Sequence, residues 1–150
     1  MTHATKQAIV AALVLIAIVP AQKSTATPAT FTVKLTGAEE TPPVQSKGVG
    51  QADLTYDPAN GKVTWSITYS GLSGPVTMAQ FHGPAPAGKS AAAVLWLTRQ
   101  GIPNIGPLRG GATLTREQAQ QFAAGLWYIN VNTKEHPDGE IRGQVIAPKD

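Results

Sequence analysis

Residues 126–145 read LWYINVNTKEHPDGEIRGQV, and this stretch limits the fold more than any other in the chain. Trp127, Ile129 and Val131 alternate with Tyr128, Asn130 and Asn132. Beyond Pro137-Asp138-Gly139, Ile141, Gly143 and Val145 alternate with Glu140, Arg142 and Gln144. A period of two marks a strand with one face on a core. Pro-Asp-Gly supplies the turn between the two runs. They predict two strands whose polar side chains all point away from the core.

The same period recurs upstream. Phe31, Val33 and Leu35 alternate with polar residues, as do Ala52, Leu54 and Tyr56, and then Val63, Trp65, Ile67 and Tyr69. Asp57-Pro58-Ala59-Asn60-Gly61 between the last two runs predicts a hairpin. In residues 76–82, Val76, Met78, Gln80 and His82 share one face, and Thr77, Ala79 and Phe81 the other. Composition leaves open which of these faces is buried. A short apolar strand follows at 92–97, and the Gly- and Pro-rich residues 98–111 read mainly as loop. Thr115 and Gln118 fit a capping box opening one short helix near 116–124, with Gly125 at its end and Phe122 pinning it to the edge of the fold. Seven or so short strands with frequent turns predict an all-β fold, a sandwich or barrel.

Before these strands lies a different kind of sequence. Residues 8–19 are a continuous apolar run of 12, preceded by Lys6 and followed by Val19-Pro20-Ala21. That is the layout of a secretory signal peptide over 1–21. The run is well short of the ~20 residues that span a bilayer as a helix. A secreted or periplasmic protein with no stable membrane span after cleavage is expected. Residues 22–30 read as a polar linker, 31–147 as one domain and 148–150 as a tail.

With no cysteine in 150 residues, disulfides, thiol catalysis and thiolate metal sites are excluded. The net charge of +3 comes without a run of Lys or Arg, which argues against nucleic acid as a partner. No Gly-x-Ser-x-Gly elbow or Gly-x-x-x-x-Gly-Lys loop occurs, so the reading leans away from an enzyme and names no catalytic residue. Glu39-Glu40 beside Pro42-Pro43 reads as a solvated turn.

The candidate site is the face away from the core: Gln80, Tyr128, Asn130, Asn132, Glu140 and Arg142. Its first reading is a recognition or support surface for an unknown extracellular or envelope partner, with Arg142 held over Tyr128 as a cross-strand support. Its second is a metal site using His82 and His136, with a carboxylate such as Glu140 or Asp138 as a third ligand and copper or zinc among the ions that imidazole suits. Trp65 and Trp127 read as core. Trp96 is the unsettled one, and with exposed tyrosines it suggests stacking on a cell-envelope glycan.

Gln80-Phe81-His82-Gly83-Pro84-Ala85 and residues 126–145 resemble the two signature regions of the CHRD (chordin-type) domain family. Thr36-Gly37-Ala38-Glu39-Glu40-Thr41-Pro42-Pro43 and Leu72-Ser73-Gly74-Pro75-Val76 resemble its other motifs. The resemblance spans about residues 31–147, and Gly139-Glu140-Ile141-Arg142-Gly143-Gln144 is its most specific string. It implies a Greek-key-like antiparallel β-sandwich in a small secreted member, and says little about activity. It also implies a multi-histidine cluster like the copper site of superoxide dismutases. This chain keeps His82 and His136 but carries Gln80 and Asn132 where the family shows histidines. Amides are weak ligands for copper, so such a site would be weakened or lost here.

Overall fold

The computed structural model describes residues 27–98 and 104–149. The expected signal peptide and most of the expected linker lie outside the described residues. The elements run β1 (Ala29–Thr36), a 3-10 turn (Gly37–Glu39), β2 (Val49–Asp57), β3 (Lys62–Ser70), β4 (Val76–His82), β5 (Ala93–Trp96), β6 (Leu108–Thr113), α1 (Arg116–Ala123), β7 (Trp127–Thr133) and β8 (Ile141–Val145). The strands pair antiparallel in the order β5-β4-β7-β8-β1-β2-β3-β6. The expected all-β fold is found, with β1 starting two residues early, inside the expected linker.

The eight strands do not lie flat. Among the described residues, β8 and β1 meet in register at a single pair, Thr36 with Arg142. About that seam the sheet curls into a half-barrel and its two halves face one another. Trp65 on β3 meets Phe81 on β4 edge to face at 5.9 Å, although the two strands lie on opposite sides of the seam. Leu35, Leu54 and Ile67 from one half and Phe81, Ile129 and Ile141 from the other are fully buried between them. Burying such a side chain is worth roughly 1.5–3 kcal/mol, so these inward rows fix the register.

The helix closes the open side. Gln118 donates its backbone N–H to Thr115 Oγ1 at 3.2 Å, and Thr115 donates its own to Gln118 Oε1 at 3.0 Å, the expected capping box. Gly125 follows in the left-handed region at φ 73°, where a side chain would be strained. Phe122 reaches beyond the edge position expected of it. It is fully buried, with ring centroids 4.9 Å from Tyr56, 5.6 Å from Trp127, 6.2 Å from Phe81 and 6.4 Å from Phe31.

The reading of 98–111 needs correction. Its last residues belong to β6, which pairs with β3 from Leu108 onward. Gly110 hides this strand in the sequence. A Cβ there would stand 2.5 Å from the Trp65 indole, so the large side chain that alternation looks for is supplied by the neighbouring strand. No described helix is long and apolar enough to cross a membrane.

Candidate functional site

Strand register gathers the polar side chains as alternation predicts. Gln80, Asn130 and Arg142 stand in one row across β4, β7 and β8; His82, Tyr128 and Gln144 stand in the next, and Asn132 faces Met78 beyond. Ala79 and Phe81 take the core side of β4. The expectation of an exterior patch is overturned. Gln80 is 7% exposed, Asn130 6%, Asn132 5%, and Arg142 and Tyr128 3% each. Residues 83–92, 40–43 and 134–139 fold over the face and take up many of its hydrogen bonds.

The face works as a set of anchors for that cover. Arg142 lies over the Tyr128 ring, its Cζ 3.5 Å from the centroid, as the cross-strand reading expects. His82 stacks on the same residue at 5.0 Å and 12°. Arg142 Nη2 donates to Lys89 O at 2.6 Å and Nη1 to Thr41 Oγ1 at 3.4 Å. Tyr128 Oη donates to Ala91 O and accepts from Ala91 N. Gln144 Nε2 donates to Ala85 O and Gly125 O. The amides of Asn130 and Asn132 donate to Asp138 O and Pro137 O.

His82 Nδ1 lies 2.9 Å from Ala91 O. A carbonyl only accepts, so Nδ1 carries the proton and Nε2 holds a lone pair. Burial lowers the His82 pKa; the Ala91 carbonyl opposes that and the Arg142 charge adds to it.

Glu140 is not a member of this face. It is fully buried at a separate node, where its carboxylate accepts from Ser46 Oγ, Ser73 Oγ and Thr133 Oγ1, each at 2.6 Å, and from Ser73 N at 2.8 Å. Burial alone would raise its pKa. The hydrogen bonds from Ser46, Ser73 and Thr133 outweigh that and pull it down to about 2. Glu40 shows the opposite balance. It is 7% exposed rather than solvated as its sequence context suggests. Burial pushes its carboxyl up to about 7 against the pull of Arg142.

These two shifts set an expected stability profile. Glu140 loses its proton near 2 folded and near 4.5 unfolded, so stability is lost as pH falls from 4.5 toward 2. Glu40 keeps its proton to about 7 folded but only to 4.5 unfolded, so stability is lost as pH rises between them. Each limb is on the order of 2 kcal/mol after allowance for solvent screening. Denaturant melts in metal-free buffer should therefore peak near pH 4.5–5, and Glu40→Gln should flatten the upper limb alone.

The sequence matches the CHRD domain family over residues 31–145. The chain belongs to that family. No curated protein matches it, and no solved structure does.

In this CHRD domain the two histidines stand apart. His82 pairs with Tyr128 near the start of β7. His136 is tied to Thr133 at the other end, where its N–H donates to Thr133 Oγ1 and its carbonyl accepts from Thr133 N. Five residues of strand separate the two anchor points, about 16 Å along the β7 backbone. Among the described residues no three His, Cys, Asp or Glu side chains group as a metal site. Trp65 and Trp127 are core, while Trp96, opposite Gln80 on the edge strand β5, is 59% exposed. Glu40, Ser46 and Ser73 are the contributors that sequence reasoning missed. Ser46 and Ser73 lie 94 and 67 residues from Glu140, and no local pattern marks them.

Proposed function

We propose that this CHRD domain is an exported, non-enzymatic binding or structural module in which the polar face is the scaffold and the loop above it the working surface. The observation that carries this reading is that Arg142, Tyr128, His82 and Gln144 each make at least one hydrogen bond to a backbone group of residues 85–91. Pro84, Pro86, Ala87, Gly88, Lys89 and Ser90 remain exposed on top, with Trp96 on the adjoining edge. A loop held on a rigid sheet is the usual place for recognition, and an exposed Trp is a contact surface of low entropy cost. Export rests on the apolar residues 8–19.

The competing copper reading makes a different prediction. Titrating Cu(II) into tag-free protein is expected to give no tight one-to-one binding, with His82→Ala indistinguishable from the parent. Stoichiometric tight binding that disappears in His82→Ala would replace the module reading with a metal protein.

A further inference from the structure

Four buried side-chain oxygens on the covered face have no hydrogen-bond partner: Gln144 Oε1 on β8 and, toward the 134–139 turn, the three oxygens Glu40 Oε1, Asn130 Oδ1 and Asn132 Oδ1. Once Glu40 has lost its proton, above about pH 7, all three are acceptors only. The Asn130 amide cannot be turned round to relieve this, because its Nδ2 already donates to Asp138 O at 3.1 Å, and reversal would set oxygen against oxygen. The same holds for Asn132, whose Nδ2 donates to Pro137 O at 2.7 Å. Glu40 Oε1 and Asn130 Oδ1 converge on one place. A Cβ built on Gly139 would lie 2.6 Å from the first and 2.5 Å from the second. Arg142 does not fill the need, since its guanidinium is engaged by Lys89 O and Thr41 and leaves Glu40 Oε1 unpartnered.

Buried acceptors facing one another with no donor are costly, so something positive or donating belongs between them. The approach is electrostatically suited to a cation. A cleft of about 230 Å³ opens beside Gly139, lined by Glu40, Glu135, Asp138 and His136 and by no Lys or Arg, with Arg142 the cation whose charge reaches Glu40. These carboxylates do not group closely enough to hold an ion themselves. They would draw one in.

We propose that Glu40 and Asn130, with Asn132 beside them on β7, form a site for a hard cation of the calcium class. Carboxylate and carboxamide oxygens are its preferred ligands, and carbonyls and water complete its shell of 6–8. The set contains no imidazole or sulfur, so it does not suit copper. The site would pin residues 40–43 to the 134–139 turn, closing the cover over Arg142.

The test is calcium titration of the full chain after chelator treatment, by calorimetry and by thermal melting. One-to-one calcium binding with a rise in Tm is expected, and magnesium should bind more weakly because it sheds its waters reluctantly. Glu40→Gln keeps the shape and should lower calcium affinity at least about tenfold, removing the charged ligand. Its cation-free melting temperature should match or exceed that of the parent, which separates lost binding from lost folding. Calcium affinity should also strengthen as pH rises through about 7, where the proton stops competing for Glu40. No binding heat and no Tm shift at millimolar calcium would mean a buried water alone fills the gap and would overturn the proposal. Unchanged affinity in Glu40→Gln would overturn it equally.

Discussion

Glu140→Ala is expected to destabilise the fold by about 4 kcal/mol or more, measured by denaturant unfolding near neutral pH. Three hydroxyls and one backbone N–H converge on that carboxylate, and a hydrogen bond to a charged group is worth roughly 1.5–3 kcal/mol. The bonds share one acceptor group, so their losses do not add fully. The partners come from the loop before β2, the turn before β4, and the end of β7, and Glu140 itself leads into β8. One side chain thus ties four segments together. Glu140→Gln supplies the control. It keeps an oxygen for two of the donors and the hydroxyls can rotate to accept from its N–H, so its cost should be less than half as large. It should also erase the stability loss between pH 4.5 and 2, because no titrating group remains at the node.

Gly143→Ala comes next, with an expected loss of about 3 kcal/mol. Gly143 sits on β8 where β1 passes closest. A Cβ there would run into the Lys34 carbonyl and stand 2.7 Å from Leu35 Cδ2 and 2.8 Å from Val33 Cγ1. The leucine and valine can rotate, but the carbonyl cannot move without shifting β1. This is the seam that joins the two halves of the sheet at the single pair Thr36 with Arg142, so there is little pairing to resist being pushed apart. Thermal melting should show the loss. A comparison with Gly74→Ala, where a Cβ meets nothing within 4 Å, isolates the effect of the seam.

The strands were legible because each buries one face: Val63, Trp65 and Ile67 announce β3, and Trp127, Ile129 and Val131 announce β7. The helix was legible because Thr115 and Gln118 satisfy each other's backbone within one turn, a purely local event. That Gln80, Asn130 and Arg142 share a face also follows from alternation and register. What alternation cannot report is what lies on top of a face. Residues 83–92 hold their place through bonds to Tyr128, Arg142 and Gln144, which lie 37 to 59 residues away along the chain. Nothing in GPAPAGKSAA encodes that destination. Glu40 was misjudged for the same reason: Glu-Glu-Thr-Pro-Pro looks solvated until the 134–139 turn closes over it.

The central claim is that the buried polar face exists to hold its covering loop, and amide hydrogen exchange in Arg142→Leu tests it most directly. The Ala91 N–H, bonded to Tyr128 Oη, and the Lys89 N–H, bonded to Pro86 O, are the reporters. Removing the guanidinium leaves Lys89 O unpaired and Tyr128 uncovered. Exchange at both amides should accelerate by about tenfold or more while β2 and β3 keep their protection. Unchanged exchange in the loop, or equal loosening of loop and sheet, would contradict the account.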